Sequence, residues 1–193
     1  MSTSLEQQLR ADPWGRATSK SGLPCDELIS ALQKCIRRGL TENALMVARE
    51  MFVSGPALRA HMWQRLQVIA CEDVGDGSYS EPVVLDSLCR IYERVIGESE
   101  SDGWVTVVHA VRFLADRSKD RTSSEVAALV ISWHDQGAPV EIPDAAVDMH
   151  TARGRAMGRG LAHYASDGAQ VANERDGRDT SYYERWRQLL EQS

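Results

Sequence analysis

Apolar residues recur every three or four positions along most of this chain, in runs that end at glycine or proline. Leu28, Leu32 and Ile36 show the spacing, and Gly39 closes their run. This spacing places side chains on one face of an α-helix, whereas a half-buried β-strand needs strict alternation. No alternation of useful length occurs, and the hydrophobic content of 42 % is enough for a packed core. The sequence therefore predicts an all-α fold of seven to eight helices in antiparallel pairs joined by short connections.

The predicted helices begin near residues 24, 41, 58, 83, 104, 122, 143 and 181. Two starts carry a capping box, in which a Ser or Thr is followed three residues later by Glu. These boxes are Thr122 with Glu125, and Ser181 with Glu184. The buried face of the helix that follows Thr122 is predicted to consist of Val126, Leu129, Val130 and Trp133.

Three regions are predicted along the chain. Residues 1–22 are polar, with few apolar anchors, and are expected to form a flexible N-terminal arm. Residues 23–165 hold the helical pattern and form the predicted domain. Residues 166–193 read as a polar linker followed by a C-terminal helix.

Charge and cysteine content narrow the classes of function. The net charge of −6 argues against a general nucleic-acid-binding protein. No apolar run is long enough to cross a membrane, and no signal peptide is recognised. Cys35, Cys71 and Cys89 lie in apolar helical patterns, and we expect reduced, buried thiols in a cytoplasmic protein.

The segment from Asp148 to Tyr164 is the most chemically loaded part of the sequence. It holds two histidines, three arginines and three glycines in seventeen residues. Three glycines within one helix are costly, at about 1 kcal/mol each, so a turn, a close packing contact or a ligand is expected here. Guanidinium groups pair well with carboxylates and phosphates; a connector with solvated arginines is the alternative. The candidate binding residues are Asp148, His150, Arg153, Arg155, Gly158 and Arg159.

Glu72 and Asp73 form a second candidate site. Acids at the C-terminal end of a helix are unfavourable because the helix dipole is negative there, so a nearby cation is expected. They open a stretch, 72–102, with nine acids against Arg90 and Arg94. We predict that the arginines of the Asp148–Tyr164 segment, Arg153, Arg155 and Arg159, pair with Glu72 and Asp73.

The sequence can be compared with the motifs of two enzyme classes. A phosphate-binding loop needs a glycine-rich motif that ends in Lys and Ser or Thr, and the nearest match, Gly15 to Ser21, lacks the second glycine. A metal-dependent phosphohydrolase of the HD type is the alternative function. Its hypothetical metal ligands follow the order of that family's ligands; they are His109, His134, Asp135 and Asp148.

Several segments, in their order along the chain, resemble one known family. They include D-E-L-I-S-A-L-Q-K-C-I-R-R at 26–38, A-L-M-V-A-R-E-M at 44–51 and L-Q-V-I-A-C-E-D-V-G at 66–75. H-A-V-R-F-L-A at 109–115, the segment 143–150 and the glycine run at 154–160 follow. Together they resemble the C-terminal helical region of the replication-associated recombination protein A family, also called MgsA, whose eukaryotic relatives are the Werner-helicase-interacting proteins.

The resemblance covers residues 23 to 164 and has specific implications. Members of the family are clamp-loader-like AAA+ ATPases that act at stalled replication forks, and their C-terminal region mediates tetramer assembly. No Walker motif is found in this sequence, so the resemblance implies assembly without ATP hydrolysis. We therefore expect a non-enzymatic, homo-oligomeric helical module without a cofactor. Replication proteins or DNA are its expected partners; a nucleic-acid-binding adaptor that uses the arginines is a further alternative.

Overall fold

The computed structural model describes residues 13–77 and 80–191. These residues form helices and turns and contain no β-strand, which confirms the all-α prediction. One isolated antiparallel bridge joins Thr18 and Pro24. The chain divides into two compact units, Met1–Asp135 and Gln136–Ser193, so the division lies thirty residues before the boundary predicted near residue 165.

The described residues of unit 1 form six α-helices, and these begin close to the predicted positions. Gly39 and Gly55 both have positive φ, of 69° and 116°, a conformation that glycine adopts without steric cost, and they separate the first three helices. Pro56 then occupies the first turn of the third helix, where its missing N–H costs nothing. The helices are α1 Cys25–Arg37, α2 Thr41–Val53, α3 Pro56–Ile69, α4 Glu81–Val95, α5 Glu100–Asp116 and α6 Thr122–Asp135.

A tighter connection links α3 to α4. The last turn of α3 widens into a π-helical turn, Ala70–Val74, which is followed by a 3₁₀ turn, Gly75–Gly77. This π turn carries the A-C-E-D-V segment, and it contacts α3, α4 and α6.

The hydrophobic core of unit 1 is formed by side chains from the five helices α1 to α5. Phe52 is at its centre, with its ring edge-on to Tyr92 and Trp104 at centroid distances of 6.4 and 5.4 Å. Each fully buried aliphatic or aromatic side chain contributes about 1.5–3 kcal/mol by leaving water. The largest fully buried apolar side chains are Phe52, Leu32, Ile36, Met51, Met62, Leu66, Ile69, Leu85 and Leu114.

The segment before α1 is attached to unit 1, in contrast to the predicted flexible arm. The backbone N–H of Lys20 donates to Ser54 Oγ, and Ser21 donates to Glu50 from both its backbone and its hydroxyl. Ser19 is buried. The prediction for residues 13–22 was therefore wrong, because side chains at the end of α2 supply hydrogen-bond partners to a polar segment. Residues 1–12 lie outside the described residues.

The cysteines are reduced, but their burial differs from the expectation. Cys25 is buried, Cys35 and Cys89 are half-buried, and Cys71 is exposed. The helical spacing places Cys71 in the apolar run of α3. Cys71 comes three residues after Val68 and seven after Gln64, so it lies on the exposed face of this helix and not with the buried Leu66 and Ile69.

Unit 2 is built from short elements. They are the 3₁₀ turn Asp144–Ala146, α7 Ala152–Ala156, α8 Leu161–His163, the π-helical turn Tyr164–Gly168 and α9 Ser181–Glu191. The helix predicted to begin near residue 143 is therefore wrong, because Asp144–Ala146 forms only a 3₁₀ turn. Few side chains of this unit are buried, Val147, Asp148 and Ala165 among them.

The two predicted capping boxes are replaced by acids two residues before each helix. Asp120 Oδ1 accepts the N–H of Thr122, and Asp179 Oδ1 accepts the N–H of Ser181. Aspartate side chains bond readily to backbone two residues ahead, so the helices begin where predicted but with a different acceptor.

Candidate functional site

The carboxylate of Asp148 is a hydrogen-bond acceptor within the Asp148–Tyr164 segment. Its side chain is nearly buried, Oδ1 accepts the backbone N–H of His150, and Oδ2 lies 2.9 Å from His150 Nδ1. These hydrogen bonds from His150 hold the pKa of the Asp148 carboxyl below its ordinary value. The His150 ring also meets Tyr164 edge-on at a centroid distance of 5.1 Å. The structure thus brings together Asp148 and His150, two of the predicted binding residues.

Local geometry explains why two positions of the segment are glycine. A Cβ on Gly154 would lie 1.8 Å from the carbonyl oxygen of Asp148, a distance that excludes any side chain. Thr151 caps α7 by accepting the N–H of Gly154. Gly158 has a φ of 73°, which ends the short helix. Close approach and a positive φ explain these two glycines without a ligand.

The three arginines of the segment have different surroundings. Arg159 Nη2 donates to both carboxylate oxygens of Asp144, at 2.8 and 2.7 Å, and Nη1 donates to the carbonyl of Val147. Arg155 donates to the carbonyl of Met149, while Arg153 is exposed. The basic character of the segment is therefore reduced by internal pairing, most of all at Arg159.

Glu72 and Asp73 do pair with arginines, but not with those predicted. Asp73 is fully buried and bonds to Arg37 Nε, with Arg121 Nε at 3.4 Å. Glu72 pairs with Arg37 at 3.3 Å and with Arg65 at 3.7 Å. The predicted partners, from the Asp148–Tyr164 segment, were wrong. We refer to Glu72, Asp73, Arg37, Arg65 and Arg121 as the acid–arginine cluster.

The acid–arginine cluster fixes the start of α6. Its members come from α1, α3, the π turn and the connection before α6. The carbonyl of Asp73 also accepts the backbone N–H of Asp120. Gly75 completes the junction, because a Cβ there would lie 2.4 Å from the Asp120 carbonyl oxygen and its φ is 49°. The A-C-E-D-V-G segment is therefore a structural junction.

The proposed metal ligands are not assembled. Among the described residues, no group of three or more His, Cys, Asp or Glu side chains is placed to hold a metal ion. His109 is exposed and stacks on Phe113 one turn later, and His134 and Asp135 lie on the exposed final turn of α6. Asp148 is engaged by His150. The HD-type arrangement of His109, His134, Asp135 and Asp148 was wrong.

The predicted buried face of α6 is exposed. Leu129, Val130 and Trp133 expose 46 %, 50 % and 52 % of their surface, and Ile131 exposes 62 %. The main contacts of α6 within unit 1 involve the π turn and the 3₁₀ turn after it, which reach only its first turns. A helix that is apolar on most of its sides is normally buried. We define the α6 face as Val126, Leu129, Val130, Ile131 and Trp133.

A groove of about 690 Å³ runs along the first turns of α6. Its walls come from the end of α3, the π turn and α6. Val68, Cys71 and Ala127 form its apolar part, and Glu72 of the acid–arginine cluster lies at its edge. The groove extends the apolar surface of α6 towards the body of unit 1.

No described helix is long and apolar enough to span a membrane. Sequence reasoning missed Arg37, Arg65 and Arg121, because their shared partners are 7 to 49 positions away in the chain. It also missed the exposure of α6, since periodicity reports an apolar face and not what covers it. A comparison with protein-family models and with curated proteins finds no match for this chain.

Proposed function

We propose that this chain is a non-enzymatic helical assembly module that self-associates through the α6 face. The exposed apolar surface of α6 is the observation that carries the proposal. Large exposed apolar patches on a folded protein mark interaction sites. The resemblance to the C-terminal region of the MgsA family supports the same function, since that region mediates assembly in the family.

A second copy of the chain is the partner that suits the α6 face best. No charged residue lies between Val126 and Trp133, so this surface offers nothing to select a charged partner. Two copies related by a twofold axis perpendicular to α6 would align their α6 helices antiparallel. Glu125 of one helix then lies opposite His134 of the other, and helix ends of opposite polarity meet.

The patch supplies about half of the area that one partner buries in a standard interface. Five half-exposed large side chains offer on the order of 400 Å² of apolar surface, judged from about 150–250 Å² for a whole aromatic residue. A standard interface buries about 800 Å² on each partner. The walls of the neighbouring groove, with Val68 and Cys71, supply further area.

The acid–arginine cluster has a supporting role in this proposal. It holds the N-terminal end of α6 through Arg121 and through the backbone bond from Asp120 to Asp73. The helix leaves this junction in a fixed direction, with its apolar side chains uncovered. Pre-ordering of an interface lowers the entropic cost of association.

The cellular setting rests on the resemblance. Replication or repair machinery is the proposed context, with a tetramer as the assembly that the family implies. Direct DNA binding is less favoured, because Arg159 is occupied by Asp144. Binding that relied on the remaining arginines would fall steeply with rising salt.

Light scattering of the purified chain tests the proposal. We expect an oligomer at tens of micromolar, and a monomer near 21.4 kDa for Leu129→Asp combined with Val130→Asp. Val83→Asp is the matched control, because Val83 is 67 % exposed on α4 and lies outside the α6 face.

Two results would contradict different parts of the proposal. A monomeric wild-type protein refutes self-association altogether. An oligomer that survives the double substitution refutes α6 as the interface and leaves assembly itself standing. Circular dichroism of each variant shows that the fold is retained.

A further inference from the structure

A second cavity, of about 510 Å³, lies between α3 and the C-terminal half of α4. Its volume falls within the range of about 300–1,000 Å³ that is usual for ligand pockets. The lining residues used below recur at helical spacing on each helix, so they line one groove. They are Trp63, Gln64 and Gln67 on α3, with Tyr92 and Glu93 on α4 and Ile96 just after it.

Aromatic rings line one side of the cavity. Trp63 is 3 % exposed, and the ring of Tyr92 lies beside it at a centroid distance of 5.3 Å. The indole Nε1 of Trp63 is buried and is not accessible from the cavity. The aromatic rings therefore favour a ligand with an apolar body.

The rim adds two amide side chains that have no hydrogen-bond partner in the described part of the chain. Gln64 and Gln67 lie one helical turn apart, and neither amide forms a hydrogen bond to another described residue. Amide side chains have both a donor and an acceptor. Two of them, one turn apart, match the alternating N–H and C=O groups of a peptide backbone.

Glu93 sets the charge of the ligand. It forms no ion pair with any described residue, whereas the one cation of the lining, Arg59, is occupied by Glu100 and by the carbonyl of Phe52. Glu98 and Glu100 follow close by in the sequence. The cavity consequently presents an uncompensated carboxylate beside aromatic rings, which suits an Arg or Lys side chain.

We infer that the cavity between α3 and α4 binds a short basic peptide segment of a partner protein. The backbone of the peptide pairs with Gln64 and Gln67, its apolar side chains pack against the rings of Trp63 and Tyr92, and the basic side chain meets Glu93. The site shares Gln64 and Gln67 with the groove beside α6, but it includes no residue of the α6 face.

Isothermal titration of the full chain with three capped heptapeptides tests the inference. The first is alanine-leucine-alanine-arginine-alanine-leucine-alanine, and its twins carry glutamine or glutamate at the centre. We expect saturable binding of the arginine peptide with a Kd below about 1 mM, weakened about tenfold for the glutamine twin. The glutamate twin should not bind.

Variants of the chain locate the site. Glu93→Gln should weaken binding of the arginine peptide about tenfold, and Gln64→Ala should weaken binding of the arginine and glutamine peptides alike. Both residues are exposed, so the fold tolerates the changes. Glu98→Gln is the matched control, because Glu98 is exposed and does not line the cavity.

Three results would overturn the inference. The arginine peptide shows no binding up to about 1 mM; it binds no better than the glutamine twin; or Glu98→Gln reduces affinity as much as Glu93→Gln. The last result would mean a diffuse attraction to the acidic region. Light scattering of the same samples reports the oligomeric state. It therefore distinguishes a failure of the peptide inference from a failure of the assembly proposal.

Discussion

Replacing Asp73 with asparagine should destabilise unit 1 by about 2–3 kcal/mol. Asp73 is fully buried and accepts from Arg37 and Gln33, with Arg121 close by. The substitution retains the volume of the side chain and removes its charge, so two guanidinium groups lose a counter-ion. Breaking a fully buried pair costs about 3–5 kcal/mol. The lower figure applies because the side chains of Arg37 and Arg121 remain 25 % and 39 % exposed and water screens part of their charge.

Urea unfolding at a fixed protein concentration, followed by circular dichroism, measures this change in the free energy of unfolding. Asp86→Asn is the matched control. Asp86 pairs with Arg90 one helical turn away on the exposed face of α4, and such surface pairs contribute under about 0.5 kcal/mol. The two variants remove the same charge, and only burial and the number of partners distinguish them.

A double-mutant cycle isolates the contact that anchors α6. Asp73→Asn and Arg121→Gln are made singly and together, and a coupling of about 1 kcal/mol or more is expected for groups within one network. A loss of stability no larger than that of Asp86→Asn would refute the reasoning. Coupling near zero would show that Arg121 contributes nothing to the anchoring of α6.

Two further predictions concern the backbone at Gly75 in unit 1 and the Arg159–Asp144 ion pair in unit 2. Gly75→Ala should destabilise the chain in urea unfolding, because its Cβ would meet a carbonyl oxygen at 2.4 Å; Gly97→Ala, which has open space around it, should not. The pKa of the Asp144 carboxyl is held below its ordinary value by the hydrogen bond from Arg159. The pair therefore stabilises unit 2 above the ordinary carboxyl pKa and loses this effect as the pH falls through the lowered pKa. An NMR titration should show the Asp144 pKa rising towards its ordinary value in Arg159→Gln, and an unchanged pKa would contradict the pairing.

The sequence was a good guide to where unit 1 forms helices. Gly39, Gly55 and Pro56 interrupt the apolar pattern, and the structure ends or begins helices at these residues. This worked because helix boundaries depend on local properties, namely the φ angles that a residue tolerates and the N–H groups that it provides. The acceptors at the helix starts were less predictable, since Asp120 and Asp179 replaced the hydroxyls of the expected boxes.

The glycine-arginine segment shows where local reasoning stops. The sequence indicated that its glycines needed a reason, and the reason is a non-local approach: the Asp148 carbonyl occupies the space where a Cβ of Gly154 would lie. Spacing alone left open a helix, on which Arg155 and Arg159 would share a face, and a turn. The structure has an Asx-type turn at Asp148, whose carboxylate accepts the backbone N–H of His150.

The composition and periodicity of the chain by themselves determined an all-α protein with an apolar core in unit 1. Only the tertiary structure decided which charges meet and which apolar face lacks a cover. Asp73 finds Arg37 and Arg121 from distant positions because the π turn carries it into the space between α1 and the start of α6. The α6 face has the same helical spacing as the faces of the core helices, yet it is exposed. The physical reason is that amphipathic spacing fixes the direction of side chains around one helix axis, whereas burial depends on which other element comes to lie against them.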